Sequence, residues 1–350
     1  MSAGGEGAAA IAGLVASGRL SAEAAVAAAL ARIDAGNGAL NAFTAVLPER
    51  ALARARAVDA ALAAGRPAGK LAGVPFAVKN LFDIAGLPTR AGAALNATRP
   101  PATADAFLIR QLEAAGGVLV GALNMGEYAY DFTGENIHDG AVRNPHDRAR
   151  MSGGSSSGSA AAVAGGLVPL ALASDTNGSI RVPAALCGIF GLKPTYGRLS
   201  RGGTFPFVAS LDHLGPMARD VTDLALAYDI LQGIDPEDPA QAPRPPEPVS
   251  AGLARGADGL RVAVLGGYFG AGAVPDCLAA VQTAASVLGA RAEITWPETR
   301  LDPSLARAAA YLITATEGAA LHLERLRSHA AGFDPATRDR FLAGAMLPAS

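Results

Sequence analysis

The chain has 350 residues, half of them hydrophobic and 17% charged, with 42 glycines and a formal net charge of -2. That balance predicts a large core with many tight turns and excludes the electrostatic footprint of a nucleic-acid binder. Cys187 and Cys277 fit no ligand spacing and read as reduced intracellular thiols. The start, MSAGGEGAAA, lacks a basic segment before an apolar run, and every apolar stretch is broken well before about 18 residues. A soluble cytoplasmic protein with no secretory signal and no membrane span is expected.

In chain order, residues 6–35 read as two helices, the second capped by Ser21 and ending near Gly36. Leu40–Leu47 reads as a strand and Pro48–Ala64 as a helix with Arg50 and Arg54 on its wet side. GVPFAV, Gly73–Val78, is a buried-strand pattern that ends at Lys79. Ala104–Ala115 is helical, Val118–Val120 extended, and Tyr128–Arg150 a long polar loop. The stretch 151–196 then holds a Gly/Ser loop, an Ala-rich helix, an apolar strand, a second Gly/Ser turn and a short helix entered through Pro183.

Beyond it, Thr222–Leu231 is an amphipathic helix, and Gly233–Gly259 is a Pro-rich surface excursion. Strand patterns at Arg261–Leu265 and Ala292–Trp296 alternate with helices at Pro275–Leu288 and Asp302–Arg327. The closing pattern, Arg338–Ser350, is helical. Strands alternating with helices on both sides of the Pro-rich segment point to an α/β sheet in a single domain. Its parts would be a mainly helical 1–66, a catalytic core at 70–232, a linker at 233–259 and a second α/β part at 260–350.

The chemistry concentrates in the two serine loops. Ser179 lies between a strand end and a helix start, where backbone N–H groups converge. That arrangement suits an oxyanion hole with Thr176, Asn177, Gly178 and Ser179 as N–H donors. A helix-capping serine in a turn has the same local pattern. Gly154–Gly158 formally matches G-x-S-x-G at Ser156, but the preceding RNPHDRAR is polar where a nucleophile elbow needs an apolar strand. The Lys-Ser/Thr ending of a phosphate loop is also missing.

Lys79 has two readings. A lysine that ends a buried strand often emerges into solvent; desolvated among hydroxyls, it becomes a usable base, and a Ser–Lys pair is one variant of the catalytic triad. His213 in LDHLG would instead complete a Ser-His-Asp set, while the scattered histidines show no metal spacing. Asp175 and Arg181 flank the Ser179 turn and are read as a pair that holds it. Tyr128, Asn136 and Arg143 in the polar loop are the candidate substrate contacts.

Several separated blocks carry a family resemblance. GGSSSGSAAAVAGG, SDTNGSIRVPAALCGIFGLKPTYGRLSR and SLDHLGPMARDV, with GVPFAVKN upstream, together resemble the amidase signature family over nearly the whole chain. The resemblance implies an α/β/α fold, a mixed central β-sheet covered by helices on both faces. It also implies serine amide hydrolysis with no cofactor and no metal. Motif by motif it maps the nucleophile to Ser179, a cis-serine relay to Ser155 and the base to Lys79, with Ser156, Asp175 and Arg181 supporting. Where the family shows a Gly-Gly pair before the nucleophile, this chain has Asn177-Gly178, and Asn tolerates left-handed backbone angles.

Within the family the blocks look most like the carboxybiuret hydrolase group, which is similar to the A subunits of glutamyl-tRNA amidotransferase. The resemblance therefore implies a small urea-like amide as substrate and a small accessory subunit or a second copy as partner. Neither membrane nor nucleic acid is implied, apart from tRNA in the amidotransferase reading. Family members continue beyond the position of Ser350, so the domain is expected to be incomplete at its C-terminal side. A truncated, non-catalytic homologue is the third reading.

Overall fold

The computed structural model describes residues 6–67, 69–289, 293–295 and 302–348. Its contacts divide the chain into two compact units, Met1–Ser250 with Ala315–Ser350, and Ala251–Thr314.

The first unit opens with helices α1 (Ala8–Ala16) and α2 (Ala22–Leu40). Ser21 caps α2 by accepting the Ala24 N–H at 3.0 Å, as the sequence predicts. The helix nevertheless runs past Gly36 and ends with Asn41 in the left-handed region at φ 53°. Two helical glycines each cost roughly 1 kcal/mol, but carrying the helix on buries Leu40. The Asn37 side chain then brackets Phe43, bonding its N–H and its C=O.

Helix α3 (Pro48–Ala63) corrects one expectation. Arg50 and Arg54 are half-buried, not on a wet face. Arg50 forks onto Asp105 at 2.7 and 2.9 Å and reaches Glu113 at 3.1 Å, and Arg54 bonds the Glu113 carbonyl. Glu113 belongs to α4 (Phe107–Ala114), and the periodicity of one helix cannot show what lies across from it.

Six strands form the central sheet: β1 (Phe43–Val46), β2 (Pro75–Lys79), β3 (Val118–Leu123), β4 (Leu170–Asp175), β5 (Phe190–Gly191) and β6 (His213–Ala218). Their order is β1-β3-β2-β4-β6-β5. Strand β2 runs parallel to both β3 and β4, while the outer pairings are antiparallel. Every residue of β2, β3 and β4 is buried. A sheet buried at every position is covered on both faces; α3 and α4 lie against β3, α5 (Ser157–Ala164) against β4, and α7 (Val221–Leu231), beyond α6 (Arg181–Leu186), against β6.

This topology locates the site. The chain leaves β2 for β3 on one side and returns on the other for β4, which opens a crevice at the carboxyl ends of these strands. Lys79 ends β2 and Asp175 ends β4, so both arrive at that edge.

In the second unit, β7 (Arg261–Ala263) pairs in parallel with β8 (Glu293–Thr295), and α8 (Pro275–Gly289) connects them. The expected strand at 292–296 is found at 293–295; its end residues lie outside the described residues. The alternation of strand and helix thus continues beyond the Pro-rich segment, but these strands pair with one another and not with the six-stranded sheet. Helix α9 (Pro303–His329) carries the chain back into the first unit, where α10 (Pro335–Ala345) follows. Among the described residues no helix is long and apolar enough to cross a membrane.

Candidate active site

Of the two readings of Lys79, the structure bears out the desolvated one. The side chain is fully buried, and its Nζ lies 2.7 Å from Ser155 Oγ, 2.9 Å from Ser156 Oγ and 2.9 Å from Ser174 Oγ. Burial lowers its pKa from 10.5 to about 7; the carboxylates of Asp175, Asp212 and Asp131 act in the opposite sense. Ser174 is the member that sequence reasoning missed. Its only signal is its place near the end of β4, and it becomes a neighbour of Lys79 only because β2 and β4 pair in parallel.

The two serine loops meet at this amine. The Gly154–Ser155 peptide bond is cis, which agrees with the cis-serine expected at Ser155. Ser156, whose formal motif failed on its flanking residues, knots the loops together. Its N–H donates to the Ser179 carbonyl at 3.3 Å, and its hydroxyl donates to the Ser174 carbonyl at 3.1 Å.

Gly154 is constrained by its surroundings. A Cβ there would stand 2.4 Å from the Asp131 carboxylate, which holds the N–H groups of Thr133 and Gly134. Gly154→Ala should therefore cost about 1–3 kcal/mol by overpacking and lower turnover by displacing Ser155. A chemical denaturation curve checks it, and an unchanged midpoint with unchanged turnover would refute the packing argument.

The Ser179 turn is organised by Asp175. This fully buried carboxylate accepts the N–H groups of Gly178 at 2.8 Å, Ile180 at 3.0 Å and Arg181 at 3.3 Å. Arg181 adds Nε at 3.0 Å and Nη2 at 2.9 Å, so the expected Asp175–Arg181 pair is present. Burial alone would raise the Asp175 pKa, but Arg181 and the backbone donors outweigh it and hold the carboxyl below its ordinary value.

Two details of the turn differ from expectation. The Gly178 N–H is committed to Asp175 and is withdrawn from the oxyanion set. The positive φ falls on Gly178, at 135°, and Asn177 does not take a left-handed conformation. A single glycine carries the turn, and this explains how Asn can stand where the family has a second one.

His213 does not build a Ser-His-Asp set. Its Nδ1 is spent on the backbone carbonyls of Leu211 at 2.6 Å and Asp175 at 3.2 Å.

The three candidate substrate contacts lie outside the lining of the cavity at Ser174. Tyr128 is buried among the rings of Phe205, His322 and Phe333. Asn136 is a buried knot that bonds Gly92 and Met125 through its amide and His138 and Asp139 through its oxygen. Arg143 is exposed and bridges backbone to Met151. The polar loop is read from composition alone as contacting substrate, yet Asn136 ties its own loop to the backbone of Gly92 and Met125.

The cavity that reaches the lysine cluster is elsewhere. It has about 270 Å³ and is lined by Ser174, Phe205, Phe207, Arg201, Asp212 and Asp238, among others. Asp212 accepts the Thr176 hydroxyl at 2.6 Å and the N–H groups of Phe207 and Val208. Arg201 donates to the Ala209 carbonyl and lies 3.5 Å from Asp238. Sequence reasoning passed over these charged wall residues because each sits in a block without periodicity.

Comparisons with known proteins identify the family. A family model described as Amidase matches residues 24–345. The chain belongs to the amidase family. It is 55% identical over 334 residues to AtzE, the 1-carboxybiuret hydrolase subunit of Pseudomonas sp. (strain ADP), covering 95% of this chain and 72% of that protein. It is 48% identical over 260 residues to the A subunit of the glutamyl-tRNA(Gln) amidotransferase of Anaeromyxobacter sp. (strain K), covering 74% of this chain. The match spans 52% of that protein, so the chain covers about half of its length.

Among solved structures, one matches with a TM-score of 0.95 at 53% identity, covering 98% of this chain and 74% of the other. It is a vestigial protein complex that reveals the evolutionary origins of an s-triazine catabolic enzyme. The amidase fold expected from the sequence is therefore the fold found: a mixed sheet clothed in helices. Family membership makes the chain a hydrolase of carbon–nitrogen bonds other than peptide bonds.

Proposed function

We propose that this amidase cleaves a small urea-like amide of the carboxybiuret kind through an acyl-enzyme on Ser179. The observation that carries the reading is the fully buried Lys79 amine within 2.9 Å of three serine hydroxyls, Ser155 among them. An ammonium has three donors and no acceptor, whereas a neutral amine has two donors and a lone pair. The Ser156 proton already points to the Ser174 carbonyl. Ser155, the nearest hydroxyl, is then the one that offers its proton to the lone pair.

In this scheme Ser179 Oγ attacks the amide carbonyl as its proton passes through Ser155 to Lys79. The Thr176, Asn177 and Ser179 amides hold the developing oxyanion; Gly178, whose N–H is held by Asp175, is not among them. The tetrahedral adduct expels the amine, which takes the proton back through Ser155. Water then attacks the acyl-enzyme by the reverse route. Asp175 and Arg181 fix the turn that presents Ser179, and Ser156 fixes the spacing of the loops.

Support for the substrate class comes from the 55% identical carboxybiuret hydrolase subunit. A panel of carboxybiuret, allophanate, glutamine and aryl amides tests it; turnover of glutamine or aryl amides alone would overturn the assignment. The 48% identical amidotransferase protein favours a second reading, in which ammonia is delivered to charged tRNA. Transfer of ammonia to glutamyl-tRNA in a reconstituted assay would select it. The likeness to a member of a protein complex supports a small accessory partner. We place the enzyme in the cytoplasm as a soluble protein.

The pH dependence follows from Lys79. With its pKa lowered to about 7 by burial, the amine carries a proton and lacks its lone pair below that pH. The value of kcat/KM should rise with pH, reach half of its plateau near pH 7 and stay flat above. A profile that falls between pH 6 and 8 would exclude a neutral-lysine base.

A further inference from the structure

A second cavity, of about 310 Å³, lies next to the one that reaches Ser174; the two share the wall Thr204–Phe205–Pro206. Two guanidinium groups line it. Arg325 spends Nη1 on Asn96 Oδ1 at 2.6 Å and Tyr128 Oη at 3.2 Å. Its fork has five N–H groups, so Nε and Nη2 still carry donors. Arg99 is exposed, lines the cavity and places its guanidinium over the Phe205 ring at 5.3 Å. One carboxylate, Asp83, faces these two cations, and it accepts the Thr89 hydroxyl. The walls therefore carry a net positive charge.

The second observation is His322, which forms part of the same wall. The ring is 1% exposed, packs 4.0 Å from Tyr128 and 4.7 Å from Phe341, and has no hydrogen-bond partner at either nitrogen among the described residues. A buried imidazole that satisfies neither its donor nor its acceptor is costly, and a native protein rarely keeps one without a use. Burial, with Arg325 adding to it, lowers the pKa to about 4, so the ring is neutral and offers one N–H and one lone pair. A leucine or phenylalanine would fill this aromatic nest better.

We propose that this cavity is a binding site for a small carboxylate anion, held between Arg99 and Arg325 and bonded by His322. The site is separate from the serine–lysine centre and does not depend on the reaction assigned to it. A flat, bidentate carboxylate matches a guanidinium fork better than a spherical halide does. The shared Thr204–Pro206 wall would pass the ligand's presence to the neighbouring cavity.

Calorimetric titration of the full chain with malonate, and separately with inorganic phosphate, tests the proposal. Saturable malonate binding is expected, weakened at least about tenfold (1.4 kcal/mol) by Arg99→Gln and unchanged by Ser179→Ala. Loss of binding in Ser179→Ala would place the anion at the reacting serine and overturn a second site. Tighter binding of phosphate than of malonate would overturn the carboxylate class, and no binding of either would overturn the site.

His322→Phe gives a readout independent of affinity. It should raise the melting temperature of the anion-free protein while weakening malonate binding, because it trades an unpartnered polar ring for an apolar one. A lowered melting temperature with unchanged malonate binding would make His322 a packing residue only.

Discussion

Ser179→Ala is expected to remove amide hydrolysis while leaving the fold intact, with kcat reduced on the order of 10³- to 10⁶-fold. The expected loss is large because no other group can take over the attack. Ser155 and Ser156 bond Lys79, and Ser156 is further spent on the Ser174 carbonyl. The fold should survive because the turn is built from the Ser179 backbone, whose carbonyl accepts the Ser156 N–H, and from Asp175, which an alanine side chain leaves untouched. Single-turnover kinetics with an active-site-directed fluorophosphonate check both halves. Labelling of the wild type and none of the variant, with identical circular dichroism, is the expected outcome. Hydrolysis retained within tenfold would remove Ser179 from the chemistry.

Asp175→Ala should damage stability and activity together. The substitution leaves the N–H groups of Gly178, Ile180 and Arg181 without their acceptor in a buried turn. It also strips Arg181 of its partner, but that guanidinium is half exposed, so most of the expected cost, about 3–5 kcal/mol, comes from the orphaned N–H groups. Arg181→Ala should cost less, because the buried Asp175 carboxylate keeps its three backbone N–H donors and the lost guanidinium is 54% exposed. Folding lowers the Asp175 pKa, so its contribution is fully present above about pH 4 and is lost as pH falls through the folded value. Denaturant titrations of both variants at pH 7 and pH 3 test the pair. Equal losses for the two variants at pH 7, or a difference between them that widens at pH 3, would contradict this account of the turn.

The site was partly legible before any fold was known, and the reason differs from residue to residue. Ser179 stands in a Gly/Ser turn between a strand end and a helix start, a local pattern that requires no long-range information, whereas Ser155 is picked out from its neighbouring serines only by the family resemblance. Lys79 was ambiguous because a lysine at a strand end is the same in sequence whether it turns outward or inward. Its burial depends on β3 and β4 flanking β2 and on hydroxyls supplied from as far away as Ser174. Tyr128 and Asn136 misled for the converse reason. A polar, aromatic loop invites a reading as ligand contacts, but the polar groups of Asn136 satisfy backbone that has no strand or helix to pair with.

What the amino-acid order determined by itself is local: helix caps such as Ser21, the buried runs that became β2, β3 and β4, and the two serine loops that drew attention first. These depend on periodicities and turn preferences over a few residues. Only the tertiary structure decided that β2 lies between parallel β3 and β4, that Asp175 claims the Gly178 N–H, and that the strands near residues 261 and 293 pair apart from the main sheet. Strand order and the ownership of a hydrogen-bond donor are settled between segments tens to hundreds of residues apart, by which pairing buries the most apolar surface with every polar group satisfied.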